Sequence, residues 1–313
     1  MARLALAWGL LLLFGTGAKA GDLIDRLKQY ATQSSCFDLP SVVHFDLNTL
    51  EEDKLTPSIT QVRYLGRQVN GGGGRKRIDF VKVTATGRGE TRVLEHYLEL
   101  AVKEKYYAFR LSGNSLQKVS TDDSTHATLT NVNPFHFALA GGLELYRTVG
   151  SPVEGLISRF DDFPNSNRFI RNTGATARSA WLLRFDSDVP WQVVRSKAFR
   201  STDNCEPSDL KWSAVKEVDV EKNWHVSIDL NSKWSEVEGE RVPIYVHSLA
   251  QFYDCNDPSK TEEFEGLFFD IEFDPVDIER YFNKERLSKE FVDQDFSADK
   301  LEKQSNVARR FVD

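Results

Sequence analysis

The stretch RVLEHYLELAV, Arg92 to Val102, decides the fold class. Leu94, Leu98, Leu100 and Val102 fall on one side together with His96. Glu95, Tyr97, Glu99 and Ala101 fall on the other. A period of two marks a β-strand. The polar side predicts one face toward water, which antiparallel sheets accept and buried parallel sheets do not. Lys103 to Lys105 then turns the chain, and Tyr106 to Leu111 alternates again before Gly113-Asn114.

The same pattern runs upstream. Ile78 to Thr84, Gln61 to Val69 and Val42 to Phe45 are β-prone, with turns at Gly87 to Gly89 and Asn70 to Gly74. Residues 61–119 read as a meander of about four strands joined by short turns. The NGGGG run at 70–74 lacks the Gly-Lys-Ser/Thr ending of a phosphate loop, and strands rather than a helix follow it, so it reads as a hairpin loop. Before the strands, Asp22 to Gln33 carries Leu23, Ile24, Leu27, Tyr30 and Ala31 on one side at helical spacing. A helix that short must pack on something.

Downstream, Asn133 caps and Pro134 opens a helix expected over Phe135 to Arg147. Ser151-Pro152-Val153-Glu154 is a capping box, opening a second helix with Leu156, Ile157 and Phe160 on its apolar side. Strands are then expected at Trp181–Phe185, Trp191–Phe199, Leu210–Val220, Trp224–Leu230, Val242–Tyr253 and Phe264–Phe273. A polar loop, 254–263, separates the last two. Asp277 to Tyr281 reads as a short helical turn, and 297–313 as a charged, weakly amphipathic tail. No linker interrupts 21–296, which reads as a single domain. The expected fold is α+β: a large curved antiparallel sheet, an unclosed β-barrel. Its N-terminal helix and central helices pack on the concave face, and the two meanders are halves of one sheet.

The first twenty residues read as an address. Arg3 precedes the apolar run Leu4–Phe14, and Ala18-Lys19-Ala20 is a small-x-small cleavage pattern. An eleven-residue run is too short for a bilayer core of about 30 Å. The expectation is an exported protein, periplasmic or extracellular, soluble and not membrane-spanning after cleavage. The 313 residues carry a formal charge of −7. That acidity disfavours nucleic acid, since it repels phosphate backbones. Cys36, Cys205 and Cys255 are odd in number and match no zinc spacing. By the strand count above, Cys205 and Cys255 sit at opposite ends of the sheet, so any bridge would use Cys36.

No stretch asks for a cofactor or a metal. His44, His96, His126, His136, His225 and His247 are not paired at ligand spacing, and no Gly-x-Ser-x-Gly elbow exists. Two carboxylates among Asp161, Asp162, Asp270 and Glu272 would suit a secreted glycoside hydrolase if they faced each other across a cleft. The aromatic residues stand out more. Trp181, Trp191, Trp212, Trp224 and Trp234 crowd the second β region. They are either sandwich core or the wall of a greasy pocket under the helices. On the pocket reading, Trp181, Trp191, Trp212, Trp224 and Phe135 bind a lipid or acyl ligand without catalysis. A third alternative is a structural module that binds another envelope protein through a sheet edge or apolar patch.

The order of elements resembles the Lol-type outer-membrane lipoprotein carriers and receptors, and more closely exported planctomycete proteins of that shape. The residues carrying the resemblance are Asn133-Pro134-Phe135 and the hairpin text from Trp234 to Pro243, followed by Phe264–Phe273 before its Asp-Pro exit. It covers about 22–296. It implies an unclosed β-barrel with helices in its mouth and a lipophilic cavity. No functional residue of the carriers can be placed here, and lipoprotein transport is not implied.

Overall fold

A computed structural model describes residues 22–54, 58–87, 91–102, 105–112, 115–119, 132–141, 157–158, 160–163, 166–172, 179–200, 216–254, 257–283 and 298–312. Helix α1 (Asp22–Ser34) leads through a 3-10 turn, Ser35–Asp38, into the first meander. This consists of β1 (Ser41–Asp53), β2 (Ser58–Gly72), β3 (Arg75–Thr86), β4 (Thr91–Val102), β5 (Lys105–Ser112) and β6 (Ser115–Val119). Helix α2 (Pro134–Ala140) follows. The second meander is β7 (Phe160–Asp162), β8 (Phe169–Asn172), β9 (Ser179–Phe185), β10 (Val193–Arg200), β11 (His225–Val237), β12 (Glu240–Asp254) and β13 (Asp257–Phe273). Helix α3 (Glu217–Asn223) precedes β11. A 3-10 segment (Ile278–Phe282) and helix α4 (Ala298–Arg309) follow β13.

The thirteen described strands form one antiparallel sheet, ordered β6-β5-β4-β3-β2-β1-β13-β12-β11-β10-β9-β8-β7. The two meanders are zipped along β1 and β13, with Phe45 opposite Phe268 and Thr49 opposite Phe264. β6 and β7 are the edges, so the sheet is not closed into a barrel. Gly66 makes room at the zip: a Cβ there would lie 2.3 Å from the Asp79 carbonyl oxygen and 2.8 Å from the Phe45 ring. Only a bare backbone lets that ring lie against β2. The NGGGG stretch is the β2–β3 hairpin, with Gly72, Gly73 and Gly74 all at positive φ.

Both faces of the sheet are covered. On the inner face, Leu23, Leu27 and Tyr30 of α1 and Phe135, Phe137 and Leu139 of α2 are fully buried against Phe45, Leu47, Phe80, Leu230, Phe264 and Phe268. On the outer face, Leu301 of α4 caps Leu65, Val81 and Leu98. Val312 covers Leu267 and Phe269, and Tyr281 covers Val42 and Val69. Val220 of α3 covers Phe163, Phe169 and Phe199.

The α+β class, the open antiparallel sheet and α1 agree with the sequence reading, and several details are corrected. In β4 the alternation holds, but the polar side is not the wet one. Tyr97 and Glu99 are buried on the helix-bearing side, where the Tyr97 ring stacks on Phe80 at 5.3 Å, and Leu98 lies under α4. Helix α2 stops at Ala140 because Gly141 takes φ +74 and its N–H caps the Phe137 carbonyl. Residues 142–150 and the Ser151–Glu154 capping box lie outside the described residues, and Phe160 begins a strand. The stretch expected as strand 210–220 is helix from Glu217, where the Lys216 N–H donates to Asp219 Oδ2 at 3.1 Å. The polar loop expected at 254–263 is mostly strand, since β13 starts at Asp257 and Lys260 pairs with Glu51 across to β1 at 3.1 Å. The expected tail is helix α4. The direct pairing of β10 with β11 removes the parity argument. The β10–β11 and β12–β13 connections leave the same end of the sheet. Cys205 and Cys255, like residues 1–21, are outside the described residues. Among the described residues no helix is long and apolar enough to cross a membrane.

Candidate functional site

Helix α2 sits in the hollow of the sheet, and each of its ends is held by buried polar bonds. Asn133 Oδ1 accepts from the Phe135 N–H at 3.0 Å, and its Nδ2 donates to the Ser34 carbonyl at 3.1 Å. The Gln68 amide bonds both polar groups of Val132, at 2.5 and 3.2 Å. Tyr30 Oη donates to the Phe135 carbonyl at 2.6 Å, and Ser248 Oγ donates to the Gly141 carbonyl. These bonds satisfy the ends of a seven-residue helix that would not persist alone.

Between the two ends, its aromatic side chains fill the hollow. Phe135 stacks on Trp191 at 6.5 Å and meets Trp234 and Tyr30 edge-on at 5.3 and 5.4 Å. Phe137 stacks on Phe264 at 5.5 Å and lies 5.7 Å from Phe268. Such pairs each add about 0.5–1.5 kcal/mol beyond their buried area.

Strand register defines what lies at the C-terminal end of α2. One row across the inner face runs Thr49, Phe264, Ser248, Leu230, Ser196, Leu183. The Thr49 and Ser196 hydroxyls in it are buried and have no hydrogen-bond partner among the described residues. The next row runs Glu262, Ala250, Ile228, Ala198, Trp181, Ile170, Asp162. Its middle five residues form an apolar strip on the floor of the hollow, with Trp181 half-buried and the other four buried.

The site residues expected from sequence divide between the faces. Phe135, Trp191 and Trp181 belong to the inner core, with Trp181 half-buried. Trp224 belongs to the outer cluster under α3. Trp212 lies outside the described residues. Tyr30, Phe137 and Trp234 join the inner group without having been singled out as ligand-binding residues. Trp234 was visible in the tryptophan run. Phe137 differs from Phe135 only in position, so its place between Phe264 and Phe268 leaves no separate sequence signal.

Titratable groups around α2 are shifted by burial. Desolvation, helped by the Lys76 ammonium, lowers the His136 imidazole to about 4. Burial alone raises the Tyr30 phenol well above its usual range. The Cys36 thiol is pushed up to about 12, chiefly by burial and then by the Glu240 carboxylate, so it is a poor nucleophile near neutral pH. The carboxylates weighed for hydrolysis do not form a facing pair. Asp161 is held by Arg171 at 2.8 Å on edge strand β7. Asp162 lies on the inner face, whereas Asp270 borders a groove on the outer face and Glu272 is exposed. Five strands separate β7 from β13.

That outer groove, of about 500 Å³, lies between α4 and the sheet. Ile244, Leu267, Phe269, Val307, Phe311 and Val312 line it, with Lys303 and Asp270 at its rim. Charge pairs hold α4 in place. Asp46, fully buried, accepts from Arg63 at 2.7 and 2.8 Å and from Ser305 Oγ at 2.5 Å. Arg63 also meets Glu302 at 3.0 Å, and Arg309 bonds Glu265 at 2.8 Å.

No family model matches the chain, and no curated protein matches it. Similar solved structures include a DUF1329 family protein from Desulfovibrio piger, at 7% identity and TM-score 0.34, covering 85% of this chain and 99% of that one. Another is a domain described as outer membrane lipoprotein-sorting from Vibrio parahaemolyticus, at 8% identity and TM-score 0.35, covering 85% and 97%. A third is LprF from Mycobacterium bovis, at 10% identity and TM-score 0.32, covering 81% and 95%. Likenesses this weak carry no functional weight.

Proposed function

We propose that the protein is an exported, non-catalytic binding protein of the cell envelope that holds an apolar, acyl-type ligand in the hollow of its sheet. The observation that carries this reading is the row Ala250, Ile228, Ala198, Trp181, Ile170 beside the end of α2. An acyl chain lying along it contacts Trp181 and displaces or abuts the end of α2. The Thr49 and Ser196 hydroxyls in the neighbouring row supply hydrogen bonds to an ester or carboxyl head. Phe135 of α2 and Trp191, stacked on each other, form the wall at the start of that helix. The resemblance to Lol-type carriers points the same way.

Organic extraction of the detergent-free purified protein, followed by mass spectrometry, should release an acyl compound. A fluorescent fatty acid should bind the delipidated protein, and Ala198→Trp, which raises the floor, should weaken it at least tenfold. Neither extracted acyl compound nor saturable probe binding would end the proposal.

A further inference from the structure

A second cavity, of about 500 Å³, opens on the outer face across β2, β1, β13 and β12. It shares no lining residue with the groove beside α4. Two register rows build it. One runs His247, Glu265, Asn48, and the next runs Glu263, Leu50, Gln61, with Leu249 at its β12 end. The polar side chains are tied to one another across strands. Gln61 Nε2 donates to Asn48 Oδ1 at 2.9 Å, and His247 Nε2 lies 3.0 Å from Glu263 Oε1. Glu265 accepts from Tyr245 Oη at 2.7 Å and from Arg309 at 2.8 Å, so both of its oxygens are taken. Asn48 Nδ2, Gln61 Oε1 and Glu263 Oε2 have no protein partner among the described residues. One donor group and two acceptors therefore surround Leu50, which is 37% exposed, and Leu249 is 44% exposed beside Glu263.

That inventory selects among ligand classes. An anion would face Glu263 without a spare cation, because the cations beside the cavity are engaged: Arg309 by Glu265, Arg63 by Asp46 and Glu302, and Lys233 by the Val312 carbonyl. An amine only donates, and would meet the Asn48 N–H groups with a charge of their own sign. An acyl chain would leave all three polar atoms unsatisfied. A hydroxyl both donates and accepts. Neighbouring ring hydroxyls therefore donate to Glu263 Oε2 or Gln61 Oε1 and accept from Asn48, while the C–H face of the ring lies on Leu50.

We infer that this outer cavity binds a neutral saccharide, held by its hydroxyls over Leu50. The inference does not depend on the ligand reading of the hollow, because the two sites lie on opposite faces. The test is an array of neutral and acidic glycans probed with the labelled full chain, followed by calorimetric titration of the neutral oligosaccharide that binds best. Binding should be confined to neutral glycans. Asn48→Ala and Glu263→Ala should each weaken it about tenfold. Glu263→Gln, which keeps an acceptor at that place, should weaken it less than Glu263→Ala. Thermal midpoints check that each variant is folded, and Gln61→Ala gives the same reading should Asn48→Ala fail that check. No neutral glycan bound, equal affinity for acidic glycans or for spermidine, or unchanged affinity in the alanine variants would overturn the inference.

Discussion

Replacing Phe137 by alanine tests whether α2 competes with a ligand. The ring is fully buried between Phe264 and Phe268. Truncating such a ring costs about 3–5 kcal/mol, because the walls of the hole are sheet residues that cannot collapse inward. At roughly 2–4 °C per kcal/mol the thermal midpoint should drop by about 10 °C. If a ligand and α2 compete for the hollow, the same loss should ease ligand entry. Weakening the helix by about 3 kcal/mol allows a gain in apparent affinity of up to roughly 150-fold. Thermal unfolding and titration with a fluorescent fatty acid, run on the same preparation, measure both quantities. A cost below about 1 kcal/mol would refute the packing argument. A full cost with unchanged probe affinity would refute competition and leave Phe137 as core.

Asp46→Ala should cost about 2–3 kcal/mol, the lower side for a broken buried pair because Arg63 keeps Glu302. Hydrogen exchange at 298–309 should rise with it, and unchanged exchange would count against the docking network. His136 stays neutral in the fold, with its pKa lowered from 6.5 to about 4, so stability present above pH 6.5 is lost as pH falls from 6.5 toward 4. Unfolding free energies from denaturant titrations at pH 7 and pH 5 should differ by about 2 kcal/mol from this group, and His136→Phe should flatten the difference. Glu265 is desolvated, but its bonds to Arg309 and Tyr245 outweigh this and lower its pKa. Its contribution is present above pH 4.5 and lost as pH falls further, so an acid titration of exchange at α4 should show release only below that value. Gly66→Ala should cost at least about 3 kcal/mol, since the new Cβ meets a backbone carbonyl; a well-folded variant of normal midpoint would contradict the close approach.

The legible parts of the fold are those written in local periodicity. Leu23, Leu27 and Tyr30 announce α1, and Asn133-Pro134 announces the start of α2. The alternation of Arg92–Val102 announces a strand, but a period of two has no sign. It says that the two sides differ, not which faces inward, and the outer side here is kept dry by a helix two hundred residues away in sequence. EVDVEKN at 217–223 fits a strand by its spaced valines and a helix by its charges, and the Lys216–Asp219 cap decides for helix. The docking of α4 was illegible because Asp46, Arg63, Glu265 and Arg309 are distant in sequence and each looks like ordinary surface charge. For the site, Trp181, Trp191 and Phe135 were readable as inner residues. Trp224 was not, because it ends α3 rather than sitting mid-strand. The row through Ala250, Ile228 and Ala198 comes from register, which composition does not encode.

The zip between β1 and β13 joins segments over two hundred residues apart. Until the last strand is made, both β1 and β12 keep open backbone edges of thirteen and fifteen residues. Such a long-range closure is slow, and open edges invite pairing between chains. A nascent or clipped chain that stops short of residue 257 should therefore pair edge to edge with other copies more readily than the full chain does.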